Sequence, residues 1–195
     1  EYGKKRFKAK KFIVYFQPFT NTYAPLKILK ERYDVVRRFS EVVGIAIGTR
    51  PDCIDEEKLS LIESYTEDYE VWIEYGLQSI HDKTLKIINR NHTYSDFLKA
   101  VEITKGRRIK ICAHVIIGLP GETRKEMIET ANECGRLKID GIKIHPLHVV
   151  KATQLEKMYK DGKYTPMDIE FYVDTVVEFL QYLSPDTVIQ RIIAD

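Results

Sequence analysis

Four ionisable residues interrupt apolar runs of this 195-residue sequence: Glu74, His114, Lys143 and His145. A carboxylate such as Glu74 among apolar neighbours needs a partner or water, because burying it unpaired costs several kcal/mol. Two readings answer that need: an ion pair with Arg50 or Arg90, or a contact to a ligand. His114 reads either as a satisfied core histidine or as a ligand contact. It stands four residues before Gly118-Leu119-Pro120-Gly121, whose glycines let a ligand approach the backbone closely. The helix opening at Thr123 offers free N–H groups beside that turn. Lys143 shares a strand face with His145, His148 falling on the other. It reads as a lysine hydrogen-bonded near a strand end, or as a Schiff-base nucleophile toward a carbonyl substrate.

Strands position these groups. Phe12–Gln17, Val42–Gly48, Val71–Gly76, Ile109–Ile117, Gly141–His148 and Thr187–Ile193 are β-branched, aromatic or apolar runs, and most lead into a helical pattern. Helices are expected from Pro25 to about Arg38 and from Glu56 to about Tyr65, the latter capped by Asp55. Further helices are expected over Asp82–Asn89, from Thr93 or Ser95 to near Gly106, and from the cap Thr123 through Glu133 with Gly135 beyond its end. Asp168–Leu183 is the most clearly amphipathic. Near-continuously apolar strands alternating with helices predict an α/β fold with a parallel sheet covered by helices. Five or six strands are too few for a closed eight-stranded barrel.

Side chains alternate along a strand, so Trp72, Glu74, Gly76 and Gln78 share one face while the chain stays extended. Cys112, His114 and Ile116 form the matching row on the next strand, and Ala46, Gly48 and Arg50 on the one before. In a parallel β/α barrel the C-terminal strand ends converge on one mouth, and polar residues there bind or react.

Composition narrows the class. Hydrophobic content is 44%, and 31 basic against 29 acidic residues give a net charge of +2, which demands no polyanionic partner. Lys4 to Lys11 nevertheless holds six basic residues in eight positions, a solvated lead-in or a nucleic-acid contact. Cys53, Cys112 and Cys134 lie far apart without a CxxC, so no metal ligand is assigned within the chain. An odd cysteine count fits a reducing cytosol, and neither a signal peptide nor a membrane-length apolar run is seen, so a cytoplasmic location is expected.

Several motifs carry a resemblance: YFQPFTNTYAP at 15–25, IGTRPD at 47–52, EYGLQS at 74–79, INRNH at 88–92, AHVIIGLPGET at 113–123 and VIQR at 188–191. In their order and spacing the chain resembles radical S-adenosylmethionine (SAM) proteins. The likeness is to a bacterial family related to the Elongator catalytic subunit and to oxygen-independent coproporphyrinogen oxidase. It implies a partial (β/α)6 radical SAM barrel, TIM-barrel-like, with residues 1–195 as a single core domain. It also implies cofactor contacts from Thr20, Thr22, Glu74, Gln78, Arg90 and His114, of which Glu74, Gln78, Arg90 and His114 are expected to line one open cavity at the C-terminal strand ends. Gln and His suit ribose hydroxyls, and Arg90 suits the methionine carboxylate. Pro18-Phe19 stands where relatives carry a Gly-Gly pair, and Gly48 where many carry Glu. The cluster motif CxxxCxxC is absent, so the chain is expected to lack the first β/α unit, with the [4Fe–4S] ligands outside it.

The resemblance implies a radical SAM enzyme whose full-length parent generates a 5′-deoxyadenosyl radical, with an external electron donor, no membrane association, and a substrate suggested by kinship to be RNA. No catalytic residue is assigned; Arg50, Lys143, His145 and Gln190 are left between catalytic and structural roles. Two other classes stay open: a cluster-free barrel lyase using Lys143, and a non-catalytic RNA-binding module.

Overall fold

A computed structural model describes residues 2–193. The strands are β1 (Phe12–Phe16), β2 (Val42–Thr49), β3 (Glu70–Gln78), β4 (Lys110–Ile117), β5 (Gly141–Pro146) and β6 (Val188–Arg191). The helices are α1 (Tyr2–Phe7), α2 (Leu26–Tyr33), α3 (Glu56–Glu63), α4 (Asp82–Ile87), α5 (Tyr94–Thr104), α6 (Arg124–Arg136), α7 (Gln154–Lys160) and α8 (Ile169–Gln181). The strands form one sheet whose spatial order equals chain order, and the β1/β2, β2/β3 and β5/β6 pairs are parallel. Sequential order with helical crossovers is the topology of a partial β/α barrel.

Two compact units divide the chain, residues 1–76 with 95–112 and residues 77–94 with 113–195. In the first, alternation along the strands brings Ala46, Trp72 and Cys112 into one buried cluster, with Tyr15 packed against it. The expected row of side chains is therefore real over this stretch. A second layer of the same unit forms around the aromatic rings of Tyr33 and Tyr65, edge to face at 6.1 Å. The Tyr65 hydroxyl donates to Asp34 at 2.7 Å.

In the second unit, Tyr172, Thr175, Val176 and Phe179 form the buried face of α8. The helix begins where the Asp168 carboxylate accepts the Phe171 N–H at 2.7 Å. Thr123 and Glu126 cap α6 reciprocally, the Thr123 N–H donating to Glu126 Oε2 at 2.8 Å.

Several expected boundaries move. Gly135 lies inside α6, not past its end. A Cβ at Gly135 would stand 2.0 Å from the Tyr182 carbonyl oxygen, so this glycine serves close approach of the chain after α8 rather than helix termination. β5 stops at Pro146, which leaves His148 in the following loop, where strand parity no longer places it. α2 ends at Tyr33 and continues as a 3-10 helix over Asp34–Arg38. α1 and α7 were not expected from the sequence, both being short and mostly polar. α5 starts at Tyr94, the residue after Thr93, and the Tyr94 N–H is accepted by the Asp82 carboxylate of α4 at 2.8 Å.

Candidate functional site

Each unit presents its own group of polar residues at the C-terminal strand ends. In the first unit the β1–α2 turn is pinned by Asn21. Its side-chain nitrogen lies 2.8 Å from the Phe16 carbonyl oxygen, 3.1 Å from that of Pro18 and 3.0 Å from that of Gly48. The Tyr33 hydroxyl donates to the Asn21 carbonyl at 2.7 Å. Thr22 is fully enclosed, 0% exposed. Its hydroxyl donates to the Cys53 carbonyl at 2.7 Å and lies 2.6 Å from the Thr49 hydroxyl, which therefore donates to it. These bonds commit Thr22 to tying the turn to the end of β2. Thr20 is only half-buried, and its carbonyl accepts the Tyr23 N–H at 3.2 Å.

Glu74 is buried, 2% exposed, opposite Gly48 in the β2/β3 register. A Cβ at Gly48 would meet the Phe16 carbonyl oxygen at 3.3 Å, so the glycine makes room between two strand ends. Arg50, a suggested partner for Glu74, forks onto Asp52, with Nε 2.9 Å from Oδ1.

In the second unit β3 ends on Gln78, a buried non-glycine residue held at φ 67°. Extended backbone stops there, so the parity argument ends at Gln78. Left-handed conformations at non-glycine residues store strain and cluster at binding sites. The next residue, Ser79, is buried; its hydroxyl donates to the Glu122 carboxylate and accepts the His81 N–H at 3.0 Å. Burial pushes the Glu122 carboxyl up, with the Ser79 hydroxyl opposing. Glu126 is held down at about 2, chiefly by Lys83 and then by Thr123.

Gly118 and Gly121, at φ 87° and 80°, shape the turn after β4. A Cβ on Gly118 would fall 1.8 Å from the Met167 methyl. Arg90, half-buried beyond α4, donates its backbone N–H to the Leu85 carbonyl at 2.8 Å. His114 and His145 are half-buried neighbours, their ring centroids 5.9 Å apart and tilted by 41°. Burial, then His114, Arg191, Lys143 and His148, lower the His145 pKa to about 4. Lys143 is buried opposite Arg191 in the β5/β6 register.

Cys112 and Cys134 are buried and Cys53 is half-buried; burial pushes the Cys134 thiol up to about 12. Among the described residues no group of three or more His, Cys, Asp or Glu is arranged to hold a metal ion. No helix among them is long and apolar enough to cross a membrane. Sequence reasoning missed Asn21, Ser79 and Glu122. An Asn between two threonines after a strand was the available signal for the first. Nothing local signals the other two, because their bond spans 43 positions.

A model described as the radical SAM superfamily matches residues 1–134, and one described as the radical SAM C-terminal domain matches residues 139–195. An uncharacterized protein of Methanocaldococcus jannaschii is 51% identical over 187 residues, covering 95% of this chain and 58% of that protein. The chain thus spans 58% of the length of that relative. A tRNA uridine(34) acetyltransferase of the same organism is 30% identical over 146 residues, 73% of this chain and 26% of that protein. Among solved structures, Elp3 of the archaeon Methanocaldococcus infernus superposes with a TM-score of 0.83 at 21% identity, covering 100% of this chain and 51% of that one.

Proposed function

Because the chain belongs to the radical SAM superfamily, we propose that it forms a SAM-binding core of a longer enzyme. The observation that carries this reading is Gln78, held at φ 67° where β3 ends, with its amide at the strand terminus. Enduring strain at a buried polar residue is understandable if its orientation serves a ligand. Gln78 and His114 supply hydrogen bonds of the kind ribose hydroxyls accept and donate. Arg90 supplies a fork suited to the methionine carboxylate. His145, neutral at pH 7, adds no charge beside His114. In the first unit Thr22 acts by holding the turn.

Bound SAM would supply hydrogen-abstracting radical chemistry on receipt of one electron, with methionine as the leaving group. This chain's residues do not fit the [4Fe–4S] cluster such reduction requires. A site-differentiated cluster needs three converging thiolates, and among the described residues no three His, Cys, Asp or Glu are grouped to hold a metal ion. We assign the cluster ligands and an external electron donor to the rest of the longer protein or its partners. The acetyltransferase relative, by its name an enzyme of tRNA, supports RNA as the substrate class. Three free cysteines suit a reducing compartment, and the cytoplasm is the location proposed.

Isothermal titration of SAM tests the reading. Arg90→Ala is expected to weaken binding more than Lys143→Ala, since a charge-assisted bond contributes about 1.5–3 kcal/mol. Equal affinities for the two variants would remove Arg90 from the site. Absence of any SAM binding by the unaltered full-length protein would remove the reading itself.

A further inference from the structure

The last strand of the second unit carries an extra residue. Ile142 stands opposite Ile189 in the β5/β6 register, but Lys143 stands opposite Arg191, so Gln190 is bulged out of the pairing. Bulges are rare between parallel strands, gather at barrel rims and beside active sites, and re-aim the side chains around them. Without the extra residue Gln190 would face Lys143, and Arg191 would fall on the other side of the sheet. The bulge therefore brings Arg191 onto the face that Lys143 and His145 share. The Tyr172 hydroxyl donates to the Ile192 carbonyl and so holds the backbone just beyond.

Arg191 arrives there without an acid. It is half-buried, and among the described residues its guanidinium has neither an ion pair nor a hydrogen bond. Withdrawing a guanidinium from water is costly unless an anion replaces the water. Its charge is felt at His145, whose pKa is lowered first by burial, then by His114 and Arg191. Lys143 and His148 act on that imidazole in the same direction. Asp168, which lines a cavity with His148, is committed to the cap of α8. A guanidinium fork beside a neutral imidazole, in a positive field, is the chemistry that recognises phosphate oxygens.

The position also suits a substrate. β4, β5 and β6 are adjacent in the sheet, so Arg191 lies two strand spacings, about 10 Å, from the strand of His114. His114 is the residue proposed for the SAM ribose. A hydrogen-abstracting radical acts only at contact distance, so the substrate must lie beside that ribose. An anionic group held at Arg191 leaves this span for the reacting part of the molecule.

We propose that Arg191, re-aimed by the Gln190 bulge and assisted by His145, binds a phosphate group of the substrate. The inference rests on the reading of the chain as a SAM-binding core and adds the handle by which the substrate is held. A free nucleotide and an RNA strand present the same phosphate oxygens to it.

Isothermal titration of the full-length protein with uridine 5′-monophosphate and with a fifteen-nucleotide oligouridylate tests it, SAM being titrated in parallel. Arg191→Ala is expected to weaken binding of the phosphate ligand about 10-fold or more, and Arg191→Lys, which lacks the fork, by less. SAM affinity should be unchanged in both variants. Saturation with the phosphate ligand should raise the NMR midpoint of His145, and should fail to do so in Arg191→Ala. A loss confined to the oligonucleotide supports the site as one for RNA phosphate, and a loss confined to the monophosphate supports it as one for a free nucleotide. Phosphate binding that is indifferent to Arg191→Ala overturns the proposal, as does the absence of binding of either ligand by the unaltered protein. SAM affinity that falls in step in Arg191→Ala also overturns it, by giving the arginine to the cofactor. Phosphate binding through Arg191 in a protein that binds no SAM supports the site and removes the SAM reading alone.

Discussion

The imidazoles of His114 and His145 lie 5.9 Å apart on neighbouring elements of one unit, and the second of them is kept neutral well below pH 7. Desolvation is the largest cause, and the adjacent His114 ring is the next. A pair arranged this way avoids placing two positive charges side by side at the strand ends, at the expense of acid sensitivity.

That sensitivity has a definite sign. The folded pKa of His145 is about 4, below the usual imidazole value of 6.5. Between those values the unfolded chain binds the proton and the folded chain does not, so stability rises with pH through this window. The contribution is complete above about pH 6.5 and is lost as pH falls toward 4. Imidazole NMR titration should find His145 titrating near pH 4. His114→Gln should move that midpoint upward. A midpoint that stays put would show that His114 exerts no influence on its neighbour.

Gly135 and Gly106 make a matched pair for stability. Gly135→Ala drives a Cβ into the Tyr182 carbonyl oxygen, 2.0 Å away, and is expected to cost about 1–3 kcal/mol or more in urea unfolding. Gly106→Ala meets no atom within 4 Å but carries φ 83°, so only local strain of about 1–2 kcal/mol opposes it. If Gly106→Ala proved the more damaging, backbone conformation would outweigh packing between α6 and the end of α8.

The cysteines predict a negative result. Anaerobic reconstitution of this 195-residue chain with iron and sulfide should give neither a stoichiometric [4Fe–4S] absorbance nor, with dithionite and SAM, 5′-deoxyadenosine. Two buried thiols, one with its pKa pushed up to about 12, are poor thiolate donors. A full cluster with product would overturn the assignment of the ligands to other parts of the longer protein.

Asp55 and Thr123 were legible as helix caps because a cap is a local event, one side chain reaching a backbone N–H three residues on. The cluster of Ala46, Trp72 and Cys112 was legible because strand parity is a property of the backbone itself. The motifs around Gln78 and Gly118 likewise announced strand ends, and the family followed from their order. What the linear chain left open was decided by groups distant along it. Gly135 reads as a helix stop until the Tyr182 carbonyl arrives beside it. Arg50 is one of several cations until its fork closes on Asp52. Ser79 meets Glu122 only through the fold, and His145 becomes neutral only when burial and His114 surround it. Periodicity and capping act within a few residues, whereas close approach, desolvation and charge proximity depend on which strands become neighbours.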